Sequence, residues 1–198
     1  MKASELPRVV RYLRYILCCS QQTHPPEFIR PTPGSHTGLC GFGRDLSYYM
    51  LQYMGVKSSN LWILQSSTLW KHSAHAFLML KTDEGYHYVV DLTFSQFLTD
   101  RASLSDSLKK EAYTLVQRGY FNIRVDRDFH LYRILVGATG MDAIRSLETD
   151  RNKLLNRKNE DWFDFHPTEL VPFLKKCFHP THLTNFTRWL SHYKHQQI

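Results

Sequence analysis

Cys40-Gly41-Phe42-Gly43-Arg44-Asp45-Leu46, Ser73-Ala74-His75-Ala76-Phe77-Leu78-Met79-Leu80 and Tyr88-Val89-Val90-Asp91-Leu92-Thr93-Phe94-Ser95-Gln96-Phe97 decide how this chain folds. After Cys40, apolar or aromatic residues recur at Phe42, Leu46, Tyr49, Met50, Tyr53 and Met54. Those spacings suit one face of a helix. Cys40 then opens the helix, where free N–H groups and the helix dipole favour a thiolate. His75 heads a short apolar run that is closed by Lys81-Thr82-Asp83-Glu84-Gly85. The pattern predicts a strand, a turn, and a return strand from Tyr86 to Leu92. In such a hairpin the start of one strand lies beside the end of the other, so His75 and Asp91 become neighbours.

Cysteine, histidine and aspartate supply a nucleophile, its base, and a group that fixes the imidazole tautomer and stabilises imidazolium. A buried Cys, a His on an apolar run, or an Asp in a turn is, singly, more often structural. Their order, the hairpin and Gln96 make Cys40, His75, Asp91 and Gln96 a candidate catalytic set.

These motifs cover about the middle third of the chain. They resemble the papain-like, transglutaminase-like glutamine deamidases of bacterial toxins and effectors, the family that includes the catalytic domain of Pasteurella multocida toxin. The resemblance implies a Cys40–His75–Asp91 triad, with Gln96, five residues after the Asp, helping to hold the oxyanion. It implies an α+β, papain-like fold: a central antiparallel sheet with the nucleophile on a helix N-terminus. It further implies an effector delivered by a specialised secretion system without a cleavable signal, acting in the host cytoplasm. The expected reaction is deamidation of a glutamine in a host signalling protein, with a G-protein α-subunit the first candidate. A small GTPase or a ubiquitin-pathway protein is an equally open substrate. A cysteine protease or a transglutaminase would use the same parts. From another class, a non-catalytic module docking a host protein through a basic, aromatic surface is the rival reading. None of these needs a metal or cofactor.

The remaining composition fits one domain. The 198 residues are 42% hydrophobic and 14% aromatic, enough to bury a core. The formal charge is +7, but Lys and Arg are spread without a dense run. No nucleic-acid reader motif accompanies the charge, so no nucleic-acid partner is expected. Attraction to an anionic membrane face or an acidic partner is the weaker alternative to a solvated basic surface. Nothing in the sequence sets an oligomeric state. The four cysteines, Cys18, Cys19, Cys40 and Cys177, show no metal spacing and no disulfide framework, which suits a reducing compartment.

Residues 1–38 are expected to hold an N-terminal helix and a Pro-rich loop. Leu6, Val9, Val10, Leu13, Ile16 and Leu17 make one apolar face between residues 4 and 19. Arg11 and Arg14 break that run, so it reads as a core helix and not as a leader or a span. Cys18-Cys19 after it is a weak lipidation signal. Pro25, Pro26, Pro31 and Pro33 force an extended approach to Cys40. Residues 39–136 are the catalytic core. Residues 60–70 read as a further strand, with Trp62 and Trp70 as pocket or core residues. Residues 104–118 read as a helix stopped by Gly119, and 120–125 and 129–136 as two more strands. Residues 137–198 are expected to be helical, at 141–156, 168–178 and 181–193.

Overall fold

A computed structural model describes residues 1–20, 39–66, 75–98, 105–136 and 147–157, with single positions from 163 to 188. The side chains of Cys18 and Cys19, Cys177, Trp70, the Pro-rich loop and most of the expected helices at 168–178 and 181–193 lie outside what it describes. The expectations for them are neither met nor corrected.

The described chain is α+β. Four strands, β1 (Leu61–Gln65), β2 (Ala76–Lys81), β3 (His87–Val90) and β4 (Tyr120–Asn122), pair antiparallel in the order β1-β2-β3-β4. The β2–β3 hairpin has the register Leu78↔Val90 and Lys81↔His87. Its turn closes by Thr82 N–H donating to Tyr86 O at 2.9 Å, and Gly85 takes φ 84°. A positive φ at that point is what glycine tolerates without steric cost.

Among the described residues, five helices accompany the sheet: α1 (Leu6–Ser20), α2 (Cys40–Tyr53), α3 (Asp106–Arg118), α4 (Asp126–Val136) and α5 (Leu147–Leu155). They form two layers. Leu61, Ile63, Leu78, Leu80 and Val90 on one sheet face share a core with α1 and α2. Leu64, Phe77, Met79, Val89 and Phe121 on the other share a second core with α3, α4 and Leu154 of α5. Both faces are therefore buried, which explains why β2 reads as an unbroken apolar run. The apolar face of α1 is at most 3% exposed, so it is a core helix and offers no apolar face to a membrane. Among the described residues no helix is long and apolar enough to cross a membrane.

Two expectations change. Residues 129–136 are not a strand; they belong to α4. Asp126 and Asp128 sit in its first turn, where the helix dipole favours acidic groups. Phe129, Tyr132, Leu135 and Val136 then fall on one buried face at helical spacing. The strand expected over 120–125 stops at Asn122, because Asn122 Oδ1 accepts from Arg124 N–H at 2.9 Å and turns the chain. In contrast, α3 ends as expected: Gly119 caps it at φ 70°. Within 141–156, the described helix is α5.

Buried ions tie the layers together. The Arg14 guanidinium of α1 donates to the carbonyls of Val116 and Gln117, the last turn of α3. Within the second layer, Arg133 of α4 pairs with Asp150 of α5 at 2.8 Å, both side chains at most 2% exposed.

Candidate active site

Cys40 is the first residue of α2, and Leu39 before it supplies no side-chain cap. The first bond inside the helix is Gly43 N–H to Leu39 O at 2.8 Å. The amides before it lack an intrahelical carbonyl. The Cys40 sulfur lies beside the N–H groups of Gly41 and, at the start of β2, Ala76, and both favour its ionised form. Gly43 lets α2 approach closely: a Cβ there would lie 2.9 Å from Thr93 Cγ2.

His75 precedes β2 and is held by its backbone. Its N–H donates to Ser66 Oγ at 3.0 Å, and its carbonyl accepts from Ser66 N–H at 2.8 Å. Its ring is 1% exposed, with the Phe97 ring edge-on at 4.6 Å. Nε2 lies 2.6 Å from Asp91 Oδ2. The side chain also lies beside Cys40, and each favours the other's charged form. Asp91 follows β3 directly, as the hairpin register requires. Its Oδ1 accepts from Thr93 N–H at 3.0 Å and Thr93 Oγ1–H at 3.2 Å. Its Oδ2 accepts, besides His75, the Tyr132 hydroxyl at 2.9 Å. Four donors on a carboxylate only 4% exposed favour its ionised form.

Gln96 lies in the 3-10 turn Phe94–Leu98, which folds back towards the ring. Its Nε2 is 3.1 Å from His75 Nδ1. With Nε2–H given to Asp91, a neutral imidazole presents Nδ1 as an acceptor, and the Gln96 amide donates to it. The structure therefore brings all four expected residues into one site. Gln96 stands on the side of the ring away from Asp91.

The charges of this set support one another. Burial pushes the Cys40 thiol up, but the hydrogen bond with His75, the Ala76 N–H, the His75 charge and the Gly41 N–H together bring it below its ordinary value. Burial alone would lower His75, yet Asp91 and Cys40 raise it to about 9. Burial likewise opposes ionisation of Asp91, and His75, Thr93 and Tyr132 reverse it and hold the carboxyl low. A thiolate–imidazolium pair flanked by a carboxylate is the state these environments favour together. It is the ionisation a cysteine nucleophile needs near neutral pH.

Three participants were not picked out from the sequence: Tyr132, Thr93 and Ser66. Thr93 was accessible, since an Asp followed two residues later by a hydroxyl residue is an Asx-type turn signal. Tyr132 was hidden because its helix was read as a strand. Trp62 instead packs at the edge of the second core, its ring 5.7 Å from that of His87. Among the described residues no cluster of His, Cys, Asp and Glu side chains could hold a metal ion.

Set against known proteins, the chain stands apart. No family model, curated protein or solved structure matches it.

Proposed function

We propose that the protein is a cysteine-dependent acyl-transfer enzyme that deamidates a glutamine side chain of a host signalling protein. The observation that carries this reading is the convergence of Cys40, at a helix N-terminus, with a buried His75 whose Nε2 lies 2.6 Å from Asp91. That arrangement supplies a nucleophile, a base and an orienting group in mutual reach.

The reaction follows from the ionisation of the set. The Cys40 thiolate attacks the carboxamide carbon, and the carbonyl π pair moves onto oxygen. The amide of Gln96 and the N–H groups at the start of α2 hold that oxyanion. The imidazolium gives its Nδ1 proton to the amide nitrogen, and the C–N bond breaks to release ammonia and leave a thioester. Neutral His75 then takes a proton from water, whose hydroxide adds to the thioester carbon. Collapse releases glutamate and returns the thiolate–imidazolium pair. Asp91 stays ionised throughout and holds Nε2–H.

In this cycle Gln96 has two tasks in sequence. While His75 is neutral, its amide N–H satisfies Nδ1. Once Nδ1 carries the proton, that bond is lost and the amide turns to the oxyanion. The sequence resemblance to toxin deamidases supports a glutamine side chain as substrate, with a G-protein α-subunit as the first candidate. The glutamine that orients the hydrolytic water there becomes glutamate, and GTP hydrolysis stops.

The test is to incubate host-cell lysate and purified Gα subunits with wild type and with Cys40→Ala, then read peptide masses. A gain of one mass unit at a glutamine, absent with Cys40→Ala, is the expected result. Conversion in lysate without conversion of Gα retains the deamidase and removes that substrate. No Cys40-dependent change anywhere removes the deamidase reading.

A further inference from the structure

Asp91 Oδ2 is shared. It accepts from His75 Nε2 at 2.6 Å and from the Tyr132 hydroxyl at 2.9 Å, while Thr93 occupies the other oxygen. Tyr132 is 1% exposed and comes from α4, a different layer element from those carrying Cys40, His75 and Asp91. Its ring is fixed on several sides, with ring centres 4.7 Å from Phe94, 4.9 Å from Phe121 and 5.6 Å from Phe77. A phenol buried this way must place its hydroxyl on a partner, and here the partner is the carboxylate that orients the base.

We infer that Tyr132 is a positioning residue that sets how strongly Asp91 holds the imidazolium, and so the upper pH limit of the reactive Cys40–His75 pair. This rests on the cysteine-enzyme reading above. The hydroxyl draws charge from the same oxygen that binds Nε2–H. With it present, Asp91 is a weaker acceptor and His75 can release its proton during the reaction. Without it, the carboxylate gives more of its charge to the imidazolium, which then holds its proton to higher pH. Burial, together with the Asp91 charge, raises the Tyr132 hydroxyl well above its ordinary range, so it remains a donor across the working range.

Among the described residues, the titratable groups that bear on this set are Cys40 from α2, His75 ahead of β2, Asp91 after β3 and Tyr132 from α4. The turn Phe94–Leu98 contributes the neutral Gln96, and α3 contributes apolar Ala112, Leu115 and Val116 to the core around Tyr132. One turn along α2, Arg44 and Asp45 neutralise each other at 2.7 Å.

The experiment is alkylation of Cys40 by iodoacetamide from pH 4 to 11, followed on the Cys40 peptide by mass. It needs no substrate. A coupled thiol–imidazole pair gives two inflections. The lower marks formation of the thiolate–imidazolium pair. The upper marks loss of the imidazolium proton, expected in the wild type at about 9. Tyr132→Phe keeps the ring and removes only the hydroxyl. It should move the upper inflection up by about half a pH unit and leave the lower one in place. Replacing Tyr132 alone by 3-fluorotyrosine, a stronger donor of the same shape, should move it down, and this second variant decides the matter if Tyr132→Phe does not fold. Superimposable profiles, or shifts in the same direction for both variants, overturn the inference. A wild-type Cys40 that behaves as an ordinary thiol with one inflection near 8.5 would instead overturn the cysteine-enzyme reading itself.

Discussion

At the scale of single residues, the site is an exchange of one proton between two side chains, and this has a consequence for stability. His75 is raised from 6.5 to about 9, so by itself it stabilises the fold below pH 6.5, and that contribution is lost as pH rises through about 9. Cys40 is lowered, so its contribution is present above its ordinary value and is lost as pH falls through its folded value. Above both 6.5 and the folded value of Cys40, and below about 9, the unfolded chain carries one proton on the pair, on sulfur, and the folded chain carries one, on the ring. The two slopes cancel, and wild-type stability should be flat with respect to this pair. Cys40→Ser removes one partner. His75 is still raised by Asp91, so the melting temperature of that variant should fall as pH climbs above 6.5, and a flat profile there would deny the charged state of His75. Gln96 is the second case at this scale. In the proposed reaction its amide serves the oxyanion, and losing one such donor costs about 2.7–4 kcal/mol of transition-state stabilisation, roughly 100- to 1,000-fold in turnover. Gln96→Ala should show that loss in kcat with the melting temperature nearly unchanged. Activity within a few-fold of wild type would leave Gln96 with only its contact to His75.

At the scale of elements, the closest fit is α2 against the turn that follows β3. Gly43→Ala would bring a methyl to 2.9 Å from Thr93 Cγ2. Thr93 also holds Asp91 Oδ1, so the helix cannot push it aside without disturbing the carboxylate. The substitution should cost about 1–3 kcal/mol and slow Cys40 alkylation at neutral pH. Thr93→Ser in the same chain deletes the opposing methyl and should return most of both; if it returns neither, the close approach is not the cause. This junction was legible in part. The hairpin places His75 beside Asp91 through turn chemistry and strand alternation alone. The identity of the opposing residue was not legible, because it depends on which sheet face α2 covers. The second layer was harder to read for a related reason. Phe129, Leu131, Tyr132, Leu135 and Val136 form a run so apolar that periods of 2 and 3.6 both fit a short window. Only the acidic first turn at Asp126 and Asp128 favours the helix, and with that helix went Tyr132.

At the scale of the whole molecule, the two layers are joined where α1 meets the end of α3. Arg14 is 3% exposed and bound to the carbonyls of Val116 and Gln117, so it has little freedom to withdraw. A Cβ on Gly119 would fall 2.5 Å from its Nη2, at a backbone φ of 70°. Gly119→Ala should therefore destabilise the protein by about 1–3 kcal/mol, measured by denaturant unfolding; an unchanged midpoint would show that the joint yields easily. Cys40 depends on this joining of layers, since its low thiol pKa needs His75, whose carboxylate partner Asp91 is held in turn by Tyr132, 92 positions further along than Cys40. The dependence turns the nucleophile into a gauge of the molecule's own integrity. Cysteines inside proteins usually become easier to label when the chain melts. Cys40 should behave in the opposite sense at pH 6. There an unfolded thiol is only about 0.3% ionised, while the folded one, brought below its ordinary value by His75, carries more thiolate. Warming such a sample through its transition should switch off the labelling of this one cysteine as the helices are lost, so that an electrophilic dye reports the living fold by its brightness and the ruined one by its silence.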